Sequence, residues 1–322
     1  MSARGRLEHA LQHRWYAGHP PEWPLRALSW LYSRMRPKKR SEKPNKSLAA
    51  RVIVVGNLTA GGTGKTPLVI ALVKLAQAQG LKVGVISRGY ARRSSGVVVV
   101  SANSAWRDCG DEPLLIHLRT AAPVVVGTQR VEAANALLKL GPLDVIISDD
   151  GLQHQALPRD VEIVVVDGER GFGNGQLLPA GPLREPVTRL ESCDLCVYRG
   201  GTHQLRFDLR LGEPYALDSR GPRSWAWLRE QPNLLAVSGI GTPEAFFASL
   251  RARGLNIKTK ALADHQSLAR EVIDQLVESV VLMTEKDAVK YRPHPRVQFV
   301  VVPAEADLQV PLREALLGLL QP

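Results

Sequence analysis

A chain of 322 residues with 44% hydrophobic residues and a mean hydropathy near zero is long enough for two ordinary cores and is not a disordered polymer. Its formal charge of +11 suits nucleic acid, anionic lipid or a phosphorylated substrate, and does not by itself choose among them. Three cysteines exclude a disulfide scaffold, and Cys193 and Cys196 have no second pair to complete a zinc site, so they read as small residues of an apolar strand in a reducing cytoplasm.

No apolar run reaches the roughly 18 residues of a spanning helix, and no secretory signal is visible. The stretch "EWPLRALSWLYSRMRPKKR" predicts a helix over Leu25–Met35, stopped by Pro37. Aliphatic and aromatic bulk stands beside Arg26, Arg34, Arg36, Lys38, Lys39 and Arg40. Such a helix either lies in a membrane interface with its basic tail near anionic headgroups or packs on its own protein. Residues 41–50 read as a linker. "RVIVVGN" is an apolar β-branched run, a helix is expected from Pro67 to about Gln79, and "LKVGVIS" is the next strand. "VVVV" at 97–100, a helix over Glu112–Thr120, "PVVVG", a helix near 130–140, "LDVIIS" and "VEIVVVD" continue the alternation. Near-continuous apolar strands separated by helices predict an α/β fold, a parallel sheet covered on both faces.

From about Gly200 the pattern changes. "QLRFDLRL" alternates like a half-exposed strand and suggests a small sheet joining two lobes. "NLLAVSGIG", a helix at 243–253, "NIKTKAL", a helix at 267–278, "SVVLMT" and "RVQFVVV" then build a second α/β lobe. The expected division is an N-terminal segment and linker over 1–48, a nucleotide-binding domain over 49–200, a β linker over 201–225 and a C-terminal lobe over 226–322.

The stretch "VVGNLTAGGTGKTPLVIALVKL" has the strand–loop–helix context of a phosphate-binding loop. Backbone N–H groups of Thr59, Ala60, Gly61, Gly62, Thr63 and Gly64 would surround phosphate oxygens at a helix N-terminus. Lys65 would contact the β/γ phosphates and the Thr66 hydroxyl would bind magnesium. The position where the usual pattern begins with glycine holds Thr59, and Gly61 and Gly62 can carry the tight turn instead. Dimerising partition ATPases with a GGxGKT loop have a lysine before the paired glycines. Here that residue is Ala60.

Ligands of parallel sheets sit outside the carboxyl ends of the strands. There "LDVIISDDGLQH" places Asp149 and Asp150, suited to a metal site or to capping the next turn. Asp111 and Glu112 of "CGDEPLLIH" stand at a helix start, either as functional carboxylates or as ordinary N-terminal acids. A lone His265 in "LADHQSL" reads locally as structural.

Taken together, "VVGNLTAGGTGKTP", "VISRGY", "GDEP", "DDGLQH", "RGFGNGQLLPAGPLREP", "ADHQ" and "TEKDAVK" closely resemble the lipid A 4'-kinase family of P-loop kinases, over most of residues 25–290. Thr59 belongs to that family's pattern. Ala91 and Leu268 depart from its usual loops. The resemblance implies transfer of the ATP γ-phosphoryl group to the 4'-hydroxyl of a tetraacylated disaccharide 1-phosphate. It also implies ATP and Mg2+ as cofactors, two α/β lobes with a short β linker, and peripheral attachment to the cytoplasmic face of the inner membrane. By this likeness Asp111 is the general base with His265 as partner, and Glu112, Asp149 and Asp150 are tied to magnesium and the reacting centre. Arg184 and Glu185 lie near the nucleotide, and Tyr90, Arg130, His154 and Asn174 face the substrate. The expected partners are the lipid A disaccharide precursor and an anionic membrane surface, with no obligate protein partner. A basic ATPase acting on nucleic acid is the rival reading, but no basic run interleaved with stacking aromatics marks a groove for it.

Overall fold

The computed structural model describes residues 11, 13–18, 20–35, 48–263 and 266–321. The basic run at 36–40, most of the linker, and Asp264 and His265 lie outside the described residues.

Among the described residues fourteen strands follow in chain order: β1 Arg51–Gly56, β2 Val83–Ser87, β3 Val98–Val100, β4 Val124–Val126, β5 Val145–Asp149, β6 Val161–Asp167 and β7 Leu195–Arg199. After these come β8 Arg206–Leu211, β9 Tyr215–Ala216, β10 Leu234–Ser238, β11 Ile257–Ala261, β12 Val280–Thr284, β13 Gln298–Val302 and β14 Ala304–Leu308. They form a nine-stranded sheet ordered β14-β8-β7-β6-β1-β5-β2-β4-β3 and a five-stranded sheet ordered β11-β10-β12-β13-β9. The pairs from β8 to β4 are parallel, and the edge strands β14 and β3 run antiparallel. The second sheet is parallel with an antiparallel β9 edge.

The apolar runs behave as doubly covered parallel strands should. Along β1, Ile53 and Val55 join one core with Leu68, Leu72 and Ile116, while Val52 and Val54 point into the other with Ala133 and Leu137. The helices Lys65–Ala78 and Asp111–Thr120 therefore cover one face, and Arg130–Leu138 covers the other.

Two expectations change. The helix awaited at 267–278 is only Arg270–Asp274: the Leu268 N–H donates to the Tyr291 hydroxyl at 2.8 Å, and Ala269, the residue before the helix, is extended. Residues 304–320 do not extend the second sheet. β14 pairs with β8, and the helix Val310–Leu320 buries Leu312, Leu316 and Leu320 in the core of the first sheet. The β8–β14 pair is the crossing between the lobes and is continuous with the large sheet.

The helix Trp23–Met35 docks by polar contacts. The Ser29 hydroxyl donates to the Leu177 carbonyl at 2.9 Å and the Tyr32 hydroxyl to the Arg184 carbonyl at 3.2 Å. Ahead of it, Trp15 Nε1 donates to the Pro179 carbonyl at 3.0 Å.

Candidate active site

The loop after β1 passes directly into the helix Lys65–Ala78, whose preceding residue Gly64 has φ 86°. An L side chain rarely adopts that backbone, and a Cβ there would stand 2.8 Å from Arg199 Cδ. Pro67 lies in the first turn, where a missing N–H costs little. The "PLREP" segment lies against this loop. Thr59 bridges Leu183, the Ala60 N–H donates to the Pro182 carbonyl at 2.7 Å, and the Arg184 N–H donates to the Leu58 carbonyl at 2.6 Å. From the second lobe, Gly241 overhangs the loop, close enough that a Cβ on it would stand 3.5 Å from the Gly62 nitrogen.

Asn57, fully buried, organises the loop from beneath. Its Nδ2 donates to the Thr59 carbonyl at 2.7 Å and its Oδ1 accepts from Lys65 Nζ at 3.0 Å. Lys65 also lies 3.4 Å from Asp150 Oδ1. Gln153 joins this floor to the "PLREP" segment, donating to the Asn57 carbonyl at 3.2 Å and to Glu185 Oε1 at 2.9 Å. Arg184 Nη1 bonds Asp150 Oδ2 at 3.3 Å. Sequence reasoning did not single out Asn57 or Gln153, since an amide under a phosphate loop has no spacing signature of its own.

The register pairs Val55 with Asp149, so the acidic pair at the end of β5 stands beside the start of the phosphate loop. Asp149 is buried, its Oδ2 accepts from the Ser87 hydroxyl at 3.3 Å, and its Oδ1 has no hydrogen-bond partner among the described residues. Burial, with Glu112 and Asp150 nearby, pushes this carboxyl up to about 7, against the pull of Lys65 and Arg130. Asp150 differs because φ is 48° and about a third of its side chain is exposed. Burial raises its pKa, but Lys65 and Arg184 outweigh it and hold the carboxyl at about 2.

This arrangement suits a divalent cation. The orphaned Asp149 oxygen has a second carboxylate, Asp150, beside it, and the half-buried Thr66 follows Lys65, which lies 3.4 Å from Asp150. No cluster of three or more His, Cys, Asp or Glu with ligand geometry occurs among the described residues. Magnesium does not need one, since it usually takes one or two carboxylates, phosphates and water.

Asp111 and Glu112 open their helix at the rim of the same region, and each meets a lysine of the second lobe. Lys290 Nζ is 3.4 Å from Asp111 Oδ2 and Lys286 Nζ is 2.9 Å from Glu112 Oε1. Further along the helix, Arg119 pairs with Glu285. "TEKDAVK" belonged to the family likeness, but nothing local in it says that its lysines cross to another lobe.

The expected substrate-facing residues divide. Arg130 is buried, donating to the Gly127 carbonyl at 2.8 Å and the Asp149 carbonyl at 3.4 Å. Burial lowers its pKa to about 10, partly offset by Asp149 and Asp150, so it is a charged floor beneath the acidic pair. His154 stands near Arg130 and Arg88, and burial with those charges and Arg159 lowers its pKa to about 4. Tyr90 is exposed on the loop after β2. Asn174 is bonded within its own loop, to the Ala180 carbonyl at 2.9 Å and the Gln176 N–H at 3.2 Å. Its backbone N–H meets the Trp15 carbonyl at 2.9 Å. His265 lies outside the described residues.

Comparison with known proteins shows the family. The family described as tetraacyldisaccharide-1-P 4'-kinase, LpxK, matches residues 21–321. A tetraacyldisaccharide 4'-kinase of Shewanella frigidimarina is 46% identical over 319 residues, 97% of this chain and 95% of the relative. One from Shewanella baltica is 43% identical over 95% of this chain and 94% of its own length. The crystal structure of an "apo" form LpxK from Aquifex aeolicus in complex with ATP shares the fold with a TM-score of 0.69 and 25% identity, covering 98% of this chain and 99% of that one. The chain belongs to the tetraacyldisaccharide-1-P 4'-kinase family.

Proposed function

We infer that this chain is a kinase of lipid A biosynthesis that transfers the γ-phosphoryl group of ATP to the 4'-hydroxyl of tetraacyldisaccharide 1-phosphate. The observation that carries this reading is Lys65, held between Asn57 and Asp150 in a phosphate loop whose family is that of the kinase.

The loop N–H groups and Lys65 would take the β and γ phosphates, where fixed donors stabilise charge as it develops. Thr66 and Asp149, with Asp150 and Glu112 beside them, would hold magnesium, which when bound offsets charge on the phosphate oxygens. Arg184 and Glu185 border the nucleotide side. Asp111 would accept the proton of the 4'-hydroxyl as its oxygen bonds phosphorus and ADP leaves, with His265 as its partner. His154, neutral at pH 7, offers the sugar a hydrogen bond without a charge, and Tyr90 offers it an exposed ring.

The acyl chains of the acceptor are embedded in lipid, so the enzyme works at a membrane surface. No helix of the described residues is long and apolar enough to cross one. The helix Trp23–Met35, with Trp23, Leu28, Trp30, Leu31 and Met35 exposed, would lie in the interface on the cytoplasmic face.

Purified protein, labelled ATP and tetraacyldisaccharide 1-phosphate in mixed micelles should yield a phosphorylated lipid. Lys65→Ala should lower turnover at least a hundredfold, the order seen when one transition-state donor is lost, with the fold intact. ATP turnover stimulated by DNA and not by the glycolipid would overturn the reading.

A further inference from the structure

We propose that Lys290 is a positioning residue for phosphoryl transfer, which fixes the Asp111 carboxylate from across the lobe boundary. The proposal rests on the reading of Asp111 as the group that accepts the hydroxyl proton.

Lys290 follows the short helix Glu285–Ala288 of the second lobe, and its side chain is 0% exposed. Its ammonium group reaches three oxygens: Asp287 Oδ1 at 2.9 Å, Asp111 Oδ2 at 3.4 Å and the Gln266 carbonyl at 3.4 Å. An ammonium stripped of water is costly unless it is well partnered, and a buried ion pair is weak evidence of stability, since apolar residues of similar volume often serve as well. The charge therefore calls for a role other than stability.

Asp287 is already well supplied with donors. Besides Lys290, it accepts from the Gly239 N–H at 3.1 Å, the Ser238 hydroxyl at 3.3 Å and the Thr284 hydroxyl at 2.8 Å. It thereby anchors Lys290 to the ends of β10 and β12 and aims the ammonium outward. The remaining two contacts both lead to the reaction. One is Asp111. The other is the carbonyl of Gln266, the residue next to His265. Gly239 completes the packing, because a Cβ there would stand 3.1 Å from the Ala263 carbonyl and 3.2 Å from that of Gln266.

For Asp111 the consequence is geometric. Its Oδ1 accepts the Glu112 N–H at 2.9 Å and its Oδ2 faces Lys290 at 3.4 Å, so each of these oxygens meets a group of a different lobe. Transfer to a hydroxyl is sensitive to such placement, and small errors of alignment cost large factors in rate. Removing Lys290 takes away the constraint that comes from the second lobe, while none of its three contacts is to the phosphate loop, Lys65 or the Asp149–Asp150 pair.

The test is steady-state phosphorylation of tetraacyldisaccharide 1-phosphate by Lys290→Met and Lys290→Arg, each alone and combined with Asp111→Asn, with thermal unfolding measured in parallel. Lys290→Met should lower kcat about ten- to a hundredfold, below or at the low end of what a proton-transfer group contributes, while KM for ATP changes less than about threefold. Lys290→Arg should restore part of kcat. In the Asp111→Asn background, Lys290→Met should cost less than about threefold more, because groups acting as a unit are not additive. Should the methionine variant fail to fold, Lys290→Gln, which keeps polar contact with Asp287 and loses the charge, carries the same expectation. A folded Lys290→Met or Lys290→Gln protein with parental kcat, or multiplicative losses in the double variant, would overturn the proposal. Parental turnover by Asp111→Asn would instead remove the reading of Asp111 on which it rests.

Discussion

His154 stands where Arg88, Arg130 and Arg159 each add positive charge to a site already poor in water. Its pKa of about 4 in the folded chain compares with 6.5 for the ordinary imidazole, so the unfolded chain binds more protons between those values. The stability this contributes is complete above pH 6.5 and is lost as pH falls towards 4. His154→Gln removes the titration. The parental protein should therefore lose melting temperature more steeply than the variant between pH 6.5 and 4, with the two curves parallel above that range. Parallel curves throughout would show that His154 does not titrate as a buried neutral ring. The positions of Lys65, Thr66, Asp149 and Asp150 at a loop and a strand end were legible because a motif and strand ends mark them. Asn57, Gln153 and Lys290 were not, because each acts through a partner that the fold brings near, Lys290 on a carboxylate far off in sequence.

At the scale of the element, the helix Trp23–Met35 shows why two readings of the same stretch stayed open. Packing on the protein and lying in an interface use opposite faces. Leu25, Ser29 and Tyr32 recur at i, i+4 and i+7 on the side towards the first lobe, and the polar contacts made there to the Leu177 and Arg184 carbonyls leave no hydrophobic signature. The other side carries Trp23 at 79% exposure, Trp30 at 58% and Met35 at 77%, with Arg34 stacked over the Trp30 ring at 4.5 Å. Full burial of a large apolar side chain stabilises by about 1.5–3 kcal/mol, so losing two such groups should weaken partition into a bilayer at least tenfold. Trp30→Ser with Leu31→Ser should thus sediment far less with anionic liposomes and phosphorylate membrane-presented substrate more slowly, with ATP binding retained. Raising salt should weaken the parental protein on anionic vesicles and leave its binding to neutral vesicles little changed. If the double variant sediments like the parent, the membrane contact lies elsewhere on the molecule.

In the whole molecule, the second lobe is an excursion from the first. The chain leaves along β8, returns along β14, and closes the crossing where the Gly212 N–H donates to the Pro303 carbonyl at 2.9 Å. Near-continuous apolar strands separated by helices foretold two α/β lobes, but not this return. "AEADL" is short and poor in strand-forming residues, and the partner of the last helix lies on the other side of the second lobe in sequence. The expected lobe over 226–322 therefore includes a strand and a helix that complete the first sheet and its core. Two deletions separate the consequences. Removing residues 304–322 strips Leu312, Leu316 and Leu320 from the first core. At about 2–5 kcal/mol for truncating each such leucine alone, the loss rivals the roughly 5–15 kcal/mol that keeps a domain folded. That chain should fail to fold, although its phosphate loop is intact. Replacing residues 213–302 by a short glycine turn instead joins β8 to β14 as a hairpin and leaves the core complete. Asp111 and Glu112, parted from Lys290 and Lys286, return to water, which charged side chains tolerate at little cost. This shorter chain should unfold cooperatively and bind ATP, yet transfer no phosphoryl group. Soluble, cooperative folding by the 304–322 deletion, or none by the 213–302 deletion, would show that the lobes depend on each other in another way.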